Sequence, residues 1–415
     1  MQEMETIEDV INDDGMAATP EAVVPTFGDG EYEVSFRESL STTLDLDTWH
    51  PGVDLGEMYA RLENEVAEAV RKENIYQQEI RKKIFPYLRT REDAPPGAGV
   101  YKVAVPQLIQ VHNQILFNGG VEACDGTVAS HDTLPVTITQ IGVCLVSYRG
   151  DQGSWVHRIF RRDLRSEATR SPLEETMEIL ERRRERAATG VISSSDVMSM
   201  LARRGIMAYA ERAVLLDKSS AVWRMGHGSP APYELLTGSG MPELLRSGLV
   251  LMRRLIEGHK RFVFVPSTIK ARELLTNGNA LLPLEYAVID TLQKRLEAVV
   301  EGGHYRGEGW GDELPAVKRF GKECGPQVVI GMFRASELAP SQMFYAHADH
   351  FHEAALIAMA DSILQEHRGF PMLIDLADQL CSATFGPDVF AASTQLAYAS
   401  VGAPFRYMTE RSTRR

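Results

Sequence analysis

Two neighbouring stretches decide the fold: residues 120–127 read GVEACDGT, and residues 136–148 read VTITQIGVCLVSY. The second stretch is rich in β-branched residues and partly alternates apolar with polar side chains, which predicts a strand. The first stretch is a short apolar run that closes with Asp-Gly, a pair common in turns, so we expect a strand with Asp125 at its end. Residues 155–160 predict a third strand. Adjacent strands with an acid at one end are typical of the sheet of an α/β nuclease.

Helical patterns lie on both sides of these strands. Apolar residues at helical spacing predict one long amphipathic helix over residues 53–88, which ends at Pro86 or shortly after. Further along the chain we predict helices over residues 198–215, 244–257, 282–300, 351–365 and 371–381, and strands over residues 221–225, 261–266 and 327–334. This alternation predicts an α/β fold with a mixed sheet and helices on its faces.

The charge distribution divides the chain. The 415 residues are 44% apolar and 24% charged, which excludes a collagenous, disulfide-stapled or wholly disordered protein. Thirteen acidic side chains and one basic side chain lie within residues 1–47, and the rest of the chain carries 43 basic and 44 acidic side chains. We therefore predict an acidic, disordered tail over 1–47, a long helical segment over 48–110 and the main domain over 111–415. The tail acts either as a solubilising segment or as a docking arm or nucleic-acid mimic.

The cysteines and the amino terminus predict where the protein resides. Four cysteines without a CxxC spacing indicate a reduced, cytoplasmic protein. The acidic start MQEMETIEDV differs from a signal peptide, and no apolar run approaches the roughly 18 residues of a membrane-spanning helix. We expect no association with a membrane.

Arginines are concentrated after the third predicted strand. The group begins with Arg158, Arg161, Arg162 and Arg165 and continues to Arg186. These side chains either line a groove that binds nucleic-acid phosphates or form the solvated face of a helix over residues 172–188.

Three groups of residues are candidates for chemistry. Asp125, Glu211 on a predicted helix and the turn at His227 provide ligands for one or two divalent cations. Residues 347–352 read HADHFH, and in a strand His350 and His352 would share one face, which suggests a zinc hydrolase unrelated to DNA. The glycine-rich stretch 302–311 does not match a phosphate-binding loop, so any ATPase must be a separate partner.

The order of the motifs resembles that of the NurA family of DNA-end-processing nucleases. The resemblance runs over roughly residues 50 to 410 through GVEACDGT at 120–127, MAYAE at 207–211, VWRMGHGS at 222–229, PYELL at 232–236 and GFPMLIDLAD at 369–378. It implies an RNase H-like core, a homodimer and DNA cleavage that depends on Mn²⁺ or Mg²⁺. It also implies docking on a hexameric HerA-like ATPase, in DNA end processing or in defence against phage.

The resemblance also assigns roles to individual residues. Asp125 matches the acid of the family's first Asp-Gly-Ser motif, and Glu211 matches its helix glutamate. His227 stands where the family has a second aspartate, and Asp378 stands where it has a histidine. The resemblance thus implies that Asp125, Glu211 and His227 hold the metal, that Asp378 is a further catalytic residue, and that the arginines bind DNA.

Two departures from the family pattern leave alternatives open. An imidazole in place of a carboxylate favours Mn²⁺ or Zn²⁺ over Mg²⁺, and His227 and Asp378 are an exchanged pair if they meet in space. Asp217 is the alternative second acid, but it follows Glu211 by too few residues to complete a helix and a strand. The function is either a metal-dependent nuclease subunit or a NurA-like scaffold that has lost catalysis and regulates the ATPase.

Overall fold

The structure is a computed structural model that describes residues 29–49, 56–133, 136–161, 202–269, 271–301 and 313–406, together with 173, 174 and 177. It contains two compact units, one within Ala17–Tyr87 and one within Leu88–Arg415. Among these residues, no helix combines the length and the apolarity that a bilayer-spanning segment requires.

The first unit is helical. It contains α1 (Asp29–Phe36), α2 (Leu40–Leu44) and most of α3 (Gly56–Thr90). Of the predicted tail 1–47, residues 1–28 lie outside the described residues, whereas residues 29–47 contain helices: the Ser39 hydroxyl caps α2 by accepting a hydrogen bond from the Thr42 amide at 3.2 Å. The long helix is confirmed, but Pro86 lies inside it and it ends at Thr90. The predicted segment 48–110 is thus helical over Gly56–Thr90 and again from Val105, with the strand Gly99–Lys102 between the two helices.

The apolar stripe of α3 remains on the surface of the chain. The side chains that form it are between 49% and 63% exposed: Met58, Tyr59, Leu62, Val66, Val70 and Tyr76. An exposed apolar stripe of this length is typical of a surface that binds another protein.

The second unit is built on one sheet of nine described strands. The strands are β1 (Gly99–Lys102), β2 (Val121–Asp132), β3 (Thr137–Ser147), β4 (Gly150–Arg161), β5 (Trp223–His227), β6 (Phe262–Val265), β7 (Glu285–Thr291), β8 (Val328–Arg334) and β9 (Gln342–His347). Their order in the sheet is β1-β7-β8-β9-β6-β5-β2-β3-β4. The pairs β2–β5 and β5–β6 are parallel and the others are antiparallel, so the predicted mixed sheet is confirmed.

Helices cover the sheet. The described helices of this unit are α4 (Val105–Val111), α5 (Met207–Asp217), α6 (Tyr233–Leu236), α7 (Pro242–Arg253), α8 (Arg272–Asn279), α9 (Gln293–Glu301), α10 (Glu313–Cys324), α11 (Phe351–Ser362), α12 (Met372–Phe385) and α13 (Pro387–Ser400). A π-helical turn, Ala202–Ile206, comes directly before α5. The helices α5 and α12 pack on opposite faces of β2 and β3, because Gly126 faces Glu211 of α5 whereas Gly142 faces Phe385 of α12.

Two segments differ from the sequence predictions. The predicted helix over 282–300 is a strand followed by a helix, because residues 285–289 are buried in the sheet between β1 and β8 and show no alternation. The motif HADHFH does not form a strand: His347 ends β9, and α11 begins at Phe351. The argument that His350 and His352 share one strand face was therefore wrong.

A buried acid fixes the start of α12. Asp361 is fully buried, and its carboxylate accepts hydrogen bonds from the Leu373 amide at 2.9 Å and from the Tyr148 hydroxyl. Burial raises the pKa of Asp361 to about 7. These bonds hold the amino-terminal turn of α12 against the core of the sheet.

Candidate active site

The parallel pairing of β2 with β5 brings two predicted site residues together. Cys124 pairs with Gly226, so the next residues, Asp125 and His227, are neighbours whose side chains project from the same face. The distance from Asp125 Oδ1 to His227 Nδ1 is 3.9 Å. The sequence prediction that these residues belong to one site is consistent with this geometry.

Asp125 lies within a strand and not at its end, which corrects the sequence prediction. β2 continues to Asp132 and pairs with β3 beyond Asp125, so Asp125-Gly126 is not a turn. β5 stops at His227, and its pairing with β2 ends at Cys124. Among the described residues, no strand pairs with this edge of β2 from Asp125 onward, and side chains can approach it from both faces of the sheet.

Glu211 approaches this open edge from α5. A Cβ atom at Gly126 would lie 2.7 Å from Glu211 Oε1 and 3.0 Å from its Cγ, which is closer than such atoms pack. The missing side chain at Gly126 therefore lets the Glu211 carboxylate lie against β2, next to Asp125.

A buried arginine holds Glu211 and the end of β5 together. Arg212 is 5% exposed, and its guanidinium donates to Glu211 Oε2 at 2.7 Å. It also donates to the backbone oxygens of Ser229 at 2.7 Å and His227 at 3.4 Å. One guanidinium thus connects α5 to the turn that follows β5 and leaves Glu211 Oε1 directed toward Gly126.

The four predicted site residues all face one cavity. It has a volume of about 750 Å³, and Asp125, Glu211, His227 and Asp378 all line it. Asp378 comes from α12, and Phe370, just before α12, places its ring edge-on to the His227 ring at 6.1 Å between centroids. The side chains come from four separate elements, β2, α5, β5 and α12, of which only α5 and β5 are consecutive in the sequence.

The sequence reasoning missed several charged residues of this cavity. They are Arg204, Arg212, Glu234, Arg368 and Asp375. Asp375 could have been found, because it precedes Asp378 by three residues on a predicted helix and therefore shares its face. Burial raises the pKa of the Glu234 carboxyl, and nearby Arg212 and Arg204 offset part of this effect.

The carboxylates and the imidazole do not form a complete metal centre. Within the described ranges, no three His, Cys, Asp or Glu side chains converge closely enough to hold a metal ion. Within those ranges the predicted set of three ligands is therefore not assembled, and one oxygen of Glu211 is bound by Arg212. Asp125 and His227 remain as a neighbouring pair whose donor atoms, carboxylate oxygen and imidazole nitrogen, suit a divalent cation such as Mn²⁺.

The predicted DNA-binding arginines do not line this cavity where they are described. Arg158 donates to Gln140 Oε1 at 2.7 Å and to Ser393 Oγ at 3.4 Å. Arg161 ends β4, and Arg162 and Arg165 lie outside the described residues. Their role in binding DNA stays a prediction.

The remaining sequence alternatives also lie apart from the cavity. Asp217 pairs with Arg254 at 2.5 Å and does not line it. His352 Nδ1 is hydrogen-bonded to the Tyr286 hydroxyl, and His350 places its ring edge-on to Trp223. No zinc-binding group is formed by the histidines of residues 347–352, all of which are described.

Comparisons with known proteins give structural matches only. No protein-family model and no curated protein matches the sequence. The NurA nuclease from Sulfolobus solfataricus is 9% identical, with a TM-score of 0.45 over 83% of this chain and 98% of that chain. NurA bound to dAMP and manganese is 9% identical, with a TM-score of 0.37 over 86% and 98% of the two chains.

A DNA complex of endonuclease V from Ciona intestinalis is also similar to this chain. It is 9% identical, with a TM-score of 0.25 over 63% of this chain and 84% of that chain.

The contact between Gly126 and Glu211 can be tested by stability measurements. We expect Gly126→Ala to lower the free energy of unfolding by about 1–3 kcal/mol, because the added methyl group displaces the Glu211 side chain. In a Glu211→Ala background the same change should cost less, and urea unfolding of the four proteins measures this coupling. Gly258→Ala is the control, since a Cβ there meets no atom within 4 Å. Equal costs of Gly126→Ala in both backgrounds would contradict the assigned contact.

Proposed function

We propose that the chain is a divalent-metal-dependent nuclease subunit that hydrolyses phosphodiester bonds of DNA in this cavity. The observation that carries the proposal is the convergence of Asp125, Glu211, His227 and Asp378 on one cavity. Carboxylates and an imidazole from separate elements are the groups that hydrolysis of a phosphodiester requires, either as metal ligands or as proton acceptors.

Asp125 and His227 would hold the cation, Mn²⁺ or Mg²⁺. Sites that act on phosphates often provide only one or two protein ligands, and water and the substrate phosphate complete the coordination. The pair at 3.9 Å fits such a site, and the imidazole favours Mn²⁺ over Mg²⁺. When bound, the cation polarises the phosphoryl oxygen and lowers the pKa of a water molecule.

The other side chains of the cavity would orient the attacking water. Arg212 occupies Glu211 Oε2, so Oε1 is the atom of this carboxylate that can accept a proton from water. Asp378 lines the same cavity from α12 and provides a second acceptor. Because Arg212 also binds the backbone oxygens of His227 and Ser229, it fixes the position of Glu211 relative to β5, the strand that carries His227.

The sheet topology supports the RNase H-like core that the resemblance implies. The strands β2 to β6 are neighbours in the order β4-β3-β2-β5-β6, with three antiparallel strands followed by two parallel ones. The helix α5 lies between β4 and β5 in the chain and packs on β2 and β3. We propose that these elements form the nuclease core.

The partners follow from the resemblance and from the surface of α3. We propose that the protein is a cytoplasmic homodimer that acts on DNA with a HerA-like hexameric ATPase, in DNA end processing or anti-phage defence. The exposed apolar stripe of α3 supports binding to a second copy or to another protein. The sequence has no phosphate-binding loop of its own, which is consistent with a separate ATPase.

One observation favours an alternative function. Glu211 is already paired with Arg212, and the described residues contain no group of three metal ligands. A NurA-like scaffold that regulates the ATPase without cleaving DNA would also tolerate this arrangement. A wild-type protein that is inert with Mn²⁺, Mg²⁺ and the ATPase would support the scaffold.

The nuclease proposal predicts that two acids are essential. Asp125→Ala and Glu211→Ala should each abolish Mn²⁺-dependent cleavage of linear DNA, because one removes a metal ligand and the other a proton acceptor. Both variants should keep the oligomeric state of the wild type. Asp217→Ala is the matched control, since this acid lies on the same helix as Glu211 but outside the cavity. Full activity of Asp125→Ala would refute the assignment.

The exchange of His227 and Asp378 predicts coupled effects on rate. His227→Asp or Asp378→His alone should impair cleavage, because at these two positions the first leaves two carboxylates and the second leaves two imidazoles. The double variant should recover part of the lost rate, which the kcat/KM values of the four proteins measure. Strictly additive losses would show that the two residues act independently.

A further inference from the structure

Three arginines line the cavity, and two of them are neutralised. Arg212 is paired with Glu211, and Arg368 is paired with Asp375 and also donates to Gln365. Arg204 makes no hydrogen bond and no ion pair with any residue of the described ranges. Its guanidinium is thus the one cation of this cavity wall, as far as the structure describes it, whose donors are available to a ligand.

The backbone at Arg204 is held firmly although its side chain is not. The preceding residue, Arg203, donates to Ser130 Oγ at 3.1 Å and lies 3.6 Å from Asp132 Oδ2. The following residue, Gly205, is packed so closely that a Cβ there would lie 2.5 Å from Leu244 and 2.7 Å from Ser239. Contacts on both sides therefore fix where the Arg204 side chain leaves the backbone.

Five acids and three arginines line the cavity, so it is the local charge of Arg204, and not the net charge of the wall, that favours an anionic ligand at this position. After the two ion pairs are subtracted, the acids that remain on the wall are Asp125, Glu234 and Asp378. Asp125 and Asp378 belong to the proposed catalytic group. Glu234 is close enough to feel the charge of Arg204, but the two do not form an ion pair. A guanidinium without a paired carboxylate, in a cavity proposed to take a polyanion, is well suited to bind a phosphate through two parallel hydrogen bonds.

We propose that Arg204 binds a backbone phosphate of the nucleic-acid strand that enters the cavity. This inference rests on the proposed nuclease function and adds the residue that positions the strand. It also moves the expected phosphate contact from Arg158 on β4, which is bonded to Gln140 and Ser393, to the turn before α5. An arginine in this turn holds the nucleic-acid strand beside Glu211, which lies seven residues further along the same helical segment.

The test measures how strongly DNA binding depends on salt. All variants carry Asp125→Ala so that no hydrolysis occurs, and the fluorescence anisotropy of a labelled oligothymidylate gives the Kd. Arg204→Gln should weaken binding roughly 10-fold at low salt, because it removes a charged hydrogen-bond donor. The slope of log K against log salt should become shallower by about 0.7, the value for one phosphate contact on a single strand.

Two further variants serve as controls. Arg319→Gln removes an equal charge from an exposed position on α10, outside the cavity, and should leave the slope unchanged. Arg204→Lys keeps the charge and should keep the slope, but it should bind less tightly because a lysine cannot form two parallel bonds. If Arg204→Gln does not fold, the weaker DNA binding of Arg204→Lys at an unchanged slope provides the test.

Two results would overturn the inference. One is a slope for Arg204→Gln equal to that of Arg319→Gln. The other is a loss of thermal stability in Arg204→Gln that a second substitution, Glu234→Gln, restores, while the salt slope of DNA binding is the same in all of these proteins. This result would mean that Arg204 serves as a counter-charge for Glu234. Cleavage of linear DNA with Mn²⁺ by the chain that keeps Asp125 tests the proposed function separately. If that chain cleaves and the slopes do not differ, only the role of Arg204 fails.

Discussion

β2 and β5 pair in parallel over four residues, and β5 then stops while β2 continues. Parallel strands place residues of equal register side by side, so Asp125 and His227 meet without any contribution from a loop. The end of β5 leaves an opening in the sheet at the same point. Glu211 reaches this opening from one face and Asp378 from the other, and the cavity exists because the two strands differ in length.

The second constraint is electrostatic. Arg212 is buried with a charged partner, and removal of one member of such a pair leaves the other uncompensated in a poorly solvated site. Its bonds to the backbone oxygens of His227, the last residue of β5, and of Ser229 show that it organises the protein as well as balancing Glu211. The same bond occupies Glu211 Oε2, one of the two oxygens with which this carboxylate could bind a cation. The protein is an active enzyme if Asp125 and His227 alone can bind a cation, and a scaffold if they cannot.

Much of the fold and the main residues of the site could be predicted from the sequence. β-branched residues with partial alternation located β3, an apolar run located β6, and the order of the motifs selected Asp125, Glu211, His227 and Asp378. The sequence prediction failed at Asp125-Gly126, because this pair is usually a turn and its role as a close approach for Glu211 depends on α5. It failed at residues 285–291, because a strand buried on both faces shows no alternation. Glu234 lies within the PYELL motif and Arg204 lies seven residues before Glu211, but only the folded chain shows that both line the cavity.

Anomalous diffraction from crystals soaked in MnCl₂ tests the central claim most directly, because it locates the ion independently of any activity assay. The account predicts a manganese peak in the cavity, within coordination distance of a carboxylate oxygen of Asp125 and of the His227 imidazole, and no such peak in Asp125→Ala crystals. A soaked wild-type crystal with no manganese peak in the cavity, or with the only ordered ion elsewhere on the chain, would contradict the metal-dependent mechanism and favour the scaffold.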